Sequence, residues 1–328
     1  MNLNSRLART FVILALAVSS PGIVFGASPQ FKPSRPDEDI NAIGHRNVGK
    51  GTNLYSLENE KKLGEQLAKE VERSSKILDD LVVTEYINRI AQKVAQNSDA
   101  RLPISIRVID SDEPNAFTLP AGFQYINTGL ILHTESEGEL AGVLARGVAH
   151  TAMRSSTMEA TKGQLMQLAT IPLISLGPGG WAGYGTYNGQ NLAIPFTYLK
   201  FHRDAERAAD FFGLQYLYKA GYDPDCLVHF LERGLPQTAK DKNLPQPFSL
   251  YPPLPERLEN MKKEIAKILP HQNAAIVTTA EFQEIKARLR AQKARQSLSP
   301  EPNPGKPTLR KPGDTPPSDL PILMPDCE

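Results

Sequence analysis

Two pairs of polar side chains, each spaced for one face of a helix, are the residues in this sequence most suited to chemistry. Arg146 and His150 are four residues apart, and so are Glu206 and Asp210. Residues at this spacing lie one above the other on a helix. An imidazole and a carboxylate from two helices can bind a metal ion, whereas a guanidinium between carboxylates forms an ion pair. The acidic pair alone is more typical of a solvated helix face.

The segment from Arg146 to His150 has the frame of a zinc-hydrolase motif but lacks two of its functional residues. The intact motif is His-Glu-x-x-His, in which two imidazoles bind zinc and the glutamate is the general base. Here Arg146 occupies the first histidine position and Gly147 the glutamate position, and only His150 remains. Loss of a general base typically slows a reaction by a factor of about a hundred to ten thousand. The pattern therefore predicts an impaired site.

Both pairs lie on predicted helices. The helix over 137–153 has a clear start, because Ser136-x-x-Glu139 matches a capping box directly before an apolar run. Gly142 and Gly147 lie inside this helix, where each glycine costs about 1 kcal/mol relative to alanine, so each is explained either by packing or by the history of the sequence. A second helix over 203–220 carries Glu206 and Asp210.

The remaining elements are mostly helical as well. Apolar residues at helical spacing predict amphipathic helices over 56–78, 83–95, 256–269 and 279–297 and a shorter helix over 227–231. Alternating apolar residues predict a strand over 104–109. Residues 115–132, with a turn at Pro120 and Gly122, indicate a hairpin or an edge strand. The predicted class is mostly α (α+β).

The two ends of the chain differ in composition from the middle. Basic residues, a short apolar run and small residues over 1–26 match a secretory signal peptide, with an uncleaved N-terminal anchor as the alternative. Residues 27–55 are an extended lead-in. From Pro300 onward, nine prolines fall within 29 residues, so 299–328 is predicted to be a disordered tail. The domain organisation is therefore a folded domain over 56–298 between these segments.

Bulk charge and cysteine content exclude some classes of protein. The net charge is +1 and 22% of residues are charged, which gives no indication of nucleic-acid binding. We expect no transmembrane span after signal cleavage and a periplasmic or secreted location. The two cysteines, Cys226 and Cys327, do not form a disulfide scaffold, and both are expected to be unpaired.

Several motifs stand in the same order as in one known family. They are Asn115-Ala-Phe-Thr-Leu-Pro-Ala-Gly-Phe, Asn127-Thr-Gly-Leu, Glu139-Leu-Ala-Gly-Val-Leu-Ala, His150, Glu206-x-x-Ala-Asp210 and Gly221-Tyr-Asp-Pro224. Over roughly 56–289 the chain resembles the gluzincin zinc metallopeptidases that include the CAAX prenyl protease and the periplasmic BepA-type proteases. The resemblance implies a zincin-like metallopeptidase fold with a small β-sheet or hairpin beside the active-site helix, a zinc cofactor, and quality control in the cell envelope.

The resemblance also assigns roles to individual positions. It makes His150 the second zinc histidine, Glu206 the third ligand, and Asp210 the group that orients His150 or its neighbours. Arg203 matches a family arginine three residues before the ligand glutamate.

Four departures from the family pattern put activity in doubt. Besides Arg146 and Gly147, Tyr251 stands near the site where relatives often have a histidine, and His202 replaces a serine that is usual there. A cation at a ligand position repels a divalent metal, so zinc is expected to be absent or weakly bound.

These observations lead to a pseudopeptidase hypothesis and two alternatives. In the first, Arg146 occupies the place of the metal and pairs with Glu206 or Asp210, and the protein binds an unfolded or assembling envelope protein or an active paralogue. One alternative is a non-enzyme that has drifted and has no selected partner. In the other, His150, His202 and Glu206 form a rearranged zinc site of a metalloendopeptidase.

Overall fold

The computed structural model describes residues 33–162, 196–234 and 252–298. These residues form a mostly helical body with one small sheet, so the predicted fold class is confirmed. The predicted signal peptide over 1–26, the predicted tail over 299–328, Tyr251 and Cys327 all lie outside the described residues.

The helices follow the predicted order along the chain. In sequence they are α1 (Leu57–Ser74), α2 (Leu81–Gln96), α3 (Thr128–His133), α4 (Glu137–Met153), α5 (residues 155–162), α6 (Phe196–Lys219), α7 (Asp225–Arg233), α8 (Leu254–Ile268) and α9 (Ala280–Leu298). Helices α3 and α5 have no counterpart among the predicted elements: the predicted hairpin includes residues 128–132, and no helix is predicted over 155–162. Helix α6 begins before its predicted start at residue 203.

A three-stranded mixed sheet lies beside α4. Its strands are β1 (Ser105–Ile109), β2 (Ala116–Thr118) and β3 (Phe123–Asn127), in the spatial order β1-β3-β2. Strand β3 pairs parallel with β1 and antiparallel with β2, so the predicted hairpin is confirmed and β2 is an edge strand. The connecting turn places Ala121 and Gly122 at positive φ, as the predicted turn at these residues requires.

Helix α4 is the central element and contacts α2, α6 and α7. Its start is the predicted one, since the Ser136 hydroxyl accepts the N–H of Glu139 at 3.1 Å. The reciprocal bond of the capping box differs, because the Glu139 carboxylate accepts the N–H of Glu135 at 2.7 Å. Packing explains the glycine at position 142, because a Cβ there would lie only 2.9 Å from Cβ of Leu227 on α7.

The described residues of the lead-in pack against the helical body and form hydrogen bonds with it. It includes two 3-10 turns, Pro36–Glu38 and Ile40–Ala42. The buried Arg46 guanidinium donates to Asp99 at 2.6 Å and to Gln215 on α6 at 2.6 Å. These charge-assisted bonds hold residues 33–56 against the core.

No helix within the described ranges combines the length and the apolar character that a bilayer crossing would need. In the same part of the chain, Cys226 is a free, buried thiol.

Candidate functional site

Helices α4 and α6 bring the two predicted pairs of polar residues face to face. The helices approach closely at Gly213, where a Cβ would lie only 3.2 to 3.3 Å from atoms of Arg146. A larger residue at position 213 would therefore push the two helices apart. The close approach lets Arg146 and His150 reach the carboxylates of Glu206 and Asp210.

Arg146 bridges both carboxylates of α6. Its Nη2 donates to Oε2 of Glu206 at 2.5 Å and its Nε donates to Oδ1 of Asp210 at 2.8 Å. The predicted pairing with Glu206 or Asp210 is thus confirmed, and it involves both residues at once. Charge-assisted bonds of this kind are about twice as strong as neutral ones.

A second arginine, which the sequence analysis does not identify, completes the cluster. Arg257 on α8 donates to Asp210 through Nε, at 2.7 Å from Oδ2, and through Nη2, at 2.8 Å from Oδ1. Asp210 therefore lies between two guanidinium groups, and its described contacts go to Arg146 and Arg257 rather than to His150. We name Arg146, Glu206, Asp210 and Arg257 the arginine–carboxylate cluster.

Two imidazoles face the remaining oxygen of Glu206. Nε2 of His150 lies 3.5 Å and Nε2 of His202 lies 3.8 Å from Oε1. The other ring nitrogen of His202, Nδ1, is 3.0 Å from Oε2 of Glu159 on α5. Glu159 is absent from the predicted site, and its carboxylate fixes the orientation of the His202 ring.

The charges of the cluster determine its ionisation. Burial is the largest single influence and would raise the pKa of Glu206 and of Asp210. Arg146 together with Arg257 and the nearby imidazoles outweighs burial and holds both pKa values below their usual range. Burial lowers the pKa of His150, and Arg146 adds to this effect. The bond to Glu159 raises the pKa of His202. The two carboxylates are therefore anions whose countercharge is supplied by arginine.

The general-base position is filled by other side chains. A Cβ at position 147 would lie 2.9 Å from Oε1 of Gln124 and 2.9 Å from Oγ1 of Thr118. Gln124 comes from β3 and is only 3% exposed, and its Nε2 has no hydrogen-bond partner among the described residues. Gly147 is therefore closely packed, and a larger side chain at this position would have to displace the Gln124 amide and the Thr118 hydroxyl.

A cleft of about 290 Å³ opens over these residues. Strand β2 contributes Phe117 and Thr118 to its lining, and α4 contributes Val143 together with Arg146 and His150. The cleft therefore combines an apolar wall and a strand edge with the charged cluster.

Arg203 lies on α6, three residues before Glu206, and is half-buried. Tyr251, which the sequence placed near the site, falls outside the described residues.

The residues present do not match the zinc site that the resemblance implied. Arg146 occupies one ligand position and binds the carboxylate that would be the third ligand. Among residues 33–162, 196–234 and 252–298, no group of three His, Cys, Asp or Glu side chains is arranged to hold a metal ion. The disagreement arises at Arg146, since a guanidinium cannot donate a lone pair to a metal.

Comparison with known proteins agrees with the resemblance. The model of peptidase family M48 matches residues 82–265. The β-barrel assembly-enhancing protease of Yersinia pestis is 27% identical over 231 residues, which cover 67% of this chain and 46% of the relative. The protein of the same name from Escherichia coli K12 is 25% identical over 292 residues, covering 86% of this chain and 57% of the relative.

A mitochondrial relative matches a shorter stretch. The mitochondrial metalloendopeptidase OMA1 of Arabidopsis thaliana is 30% identical over 154 residues, covering 46% of this chain and 30% of the relative. The chain spans about half the length of the β-barrel assembly-enhancing proteases it matches.

Proposed function

Because this chain belongs to peptidase family M48, we propose that it is a pseudopeptidase of that family, which keeps the cleft for binding and has lost efficient peptide hydrolysis. The observation that carries this proposal is the double ion pair of Arg146 with Glu206 and Asp210. The guanidinium supplies the positive charge that zinc would otherwise supply to these buried carboxylates.

Two chemical losses support the proposal. A zinc peptidase needs three protein ligands and an open position for the attacking water, whereas here one ligand position holds a permanent cation. It also needs a base to take the proton of that water, and Gly147 has no side chain.

The remaining function is binding of polypeptide at the cleft. The outer edge of β2 has backbone N–H and C=O groups that can pair with an added strand, and Phe117 and Val143 provide apolar contacts beside it. The two relatives named as β-barrel assembly-enhancing proteases, together with the signal-like N-terminus, support an unfolded or assembling envelope protein as the partner. An active paralogue is the alternative partner.

The proposal is tested by comparing the full chain with the double reversion Arg146→His and Gly147→Glu. We expect the unaltered chain to bind an unfolded outer-membrane β-barrel protein without cleaving it, and the reversion to gain zinc and chelator-sensitive cleavage. Since a glutamate at 147 meets Gln124, a triple variant with Gln124→Ala is measured as well. Chelator-sensitive cleavage by the unaltered chain would refute the proposal.

A second candidate function retains the metal. His150 and His202 both direct Nε2 at Oε1 of Glu206, and Glu159 orients His202 as a carboxylate often orients a metal-binding histidine. In this alternative the protein is a zinc-dependent endopeptidase with a rearranged site. It requires that the unaltered chain binds zinc and that His202→Ala abolishes the binding.

A further inference from the structure

A second cavity lies between the lead-in, α6 and α8. Its volume is about 520 Å³, and it is separate from the cleft beside β2, although Asp210 and Arg257 belong to its wall. The cavity is lined by several ionic side chains above an apolar floor, and the proposed binding of polypeptide at the cleft does not involve it.

The cations in the lining of this cavity are all paired with carboxylates. The pairs are Arg35 with Asp37 at 3.3 Å, Arg207 with Asp204 at 2.9 Å, Arg257 with Asp210 at 2.7 Å and Lys263 with Glu259 at 2.6 Å. One carboxylate in the lining has no such cationic partner. Within the described part of the chain, Glu264 on α8 forms no ion pair, and its Oε1 is buried without a hydrogen-bond partner.

An unpaired buried carboxylate oxygen is costly, because it has lost water without gaining a donor. Burial raises the pKa of Glu264 to about 7, since the nearby Arg35 and Lys267 only partly offset burial. A bound cation would remove this cost by supplying the missing donor and countercharge.

The floor of the cavity favours a cation attached to a hydrocarbon chain. Leu214 and Met261 are buried in it, and the ring of Phe211 lies beneath the Arg35 guanidinium at 5.5 Å. Methylene groups can pack on such a surface while a terminal ammonium reaches a carboxylate.

We propose that this cavity binds an alkylammonium group, with Glu264 as the acceptor of the ammonium and the half-buried Phe211, packed on the buried Leu214 and Met261, as the apolar surface for the attached chain. The group can come from a free diamine or from a lysine side chain of a polypeptide. The site shares Asp210 and Arg257 with the arginine–carboxylate cluster, but the proposal does not rest on the pseudopeptidase function.

The experiment is a calorimetric titration of the full chain with two probes, 1,5-diaminopentane and Nα-acetyl-lysine methylamide. Nα-acetyl-norleucine methylamide is the uncharged control ligand. We expect saturable binding of an ammonium probe and none of the norleucine derivative. Tighter binding of the diamine would indicate a free amine as the natural ligand, and tighter binding of the lysine derivative a polypeptide.

Two variants make the test specific. Glu264→Gln keeps the shape of the side chain but removes its charge, so we expect binding to weaken on the order of tenfold or more. Glu58→Gln, on an exposed side chain of α1 that does not line the cavity, should bind like the unaltered chain. Absence of saturable binding, or equal binding by Glu264→Gln, would overturn the proposal.

Discussion

Replacement of Arg146 by methionine measures how much the arginine–carboxylate cluster contributes to the free energy of unfolding. The Arg146 side chain is 19% exposed, while the side chains of Glu206 and Asp210 are 8% and 5% exposed. Removing one partner of a buried ion pair typically costs about 3 to 5 kcal/mol, because the other charge is left uncompensated. Asp210 keeps two bonds from Arg257, so we expect a loss nearer ~2–4 kcal/mol.

The assays are urea unfolding, which gives the free energy of unfolding, and thermal unfolding, both followed by circular dichroism. For a domain of this size, a loss of this magnitude lowers the melting temperature by roughly 5 to 15 °C. Arg73→Met is the matched control, because Arg73 pairs with Glu70 on an exposed face of α1. Exposed pairs contribute about 0 to 1 kcal/mol, so this control should change stability little.

A double-mutant cycle then isolates the pair itself. The double variant Arg146→Met with Glu206→Gln has no unpaired charge at position 206. Its loss of unfolding free energy should therefore be smaller than the sum of the losses in the two single variants, by ~2 kcal/mol. If Arg146→Met costs no more than Arg73→Met, or if the cycle is additive, Arg146 does not supply the countercharge and the reasoning fails.

Three further predictions concern neighbouring residues, all measured as the free energy of unfolding. Arg257→Leu should destabilise the chain by ~2–3 kcal/mol, since Asp210 loses two charge-assisted bonds, and a loss below that of an exposed pair would contradict this. Gly147→Ala should cost ~1 kcal/mol through overpacking and less in a Gln124→Ala background, whereas an equal cost in both would exclude the contact. Glu264→Gln should stabilise the chain at pH 8 by ~1–2 kcal/mol but hardly at pH 5. The sign follows from the pKa of Glu264, which burial raises from 4.5 to about 7, so that between these values the folded state binds more protons than the unfolded state. The stability of the unaltered chain therefore falls as pH rises through this range, and the glutamine variant does not lose it. A difference in stability that does not change with pH would contradict this prediction.

The sequence is informative where function depends on local spacing. Positions four apart on a helix share a face, so spacing alone pairs Arg146 with His150 and Glu206 with Asp210. The start of α4 at Ser136 and the turn at Pro120 and Gly122 depend on residues within a few positions of each other.

The site residues that the sequence does not reveal depend on contacts between distant segments. Arg257 reaches Asp210 from α8, 47 residues further along the chain, and no periodicity relates the two. Glu159 pairs with His202 across 43 residues. Gln124 is a polar residue between Phe123 and Tyr125, and its contact with the site does not follow from this spacing. It is 3% exposed because α4 packs on that side of β3 through Gly147.

The central claim is that Arg146 replaces zinc as the countercharge of Glu206 and Asp210. The most direct test is the melting temperature of the full chain and of Arg146→His, each measured with a chelator and with added zinc. We expect the unaltered chain to melt at the same temperature in both conditions and Arg146→His to be stabilised by zinc, because a ligand that binds only the folded state raises stability. A lower melting temperature of the unaltered chain in the chelator, together with near-stoichiometric bound zinc before its addition, would contradict the claim.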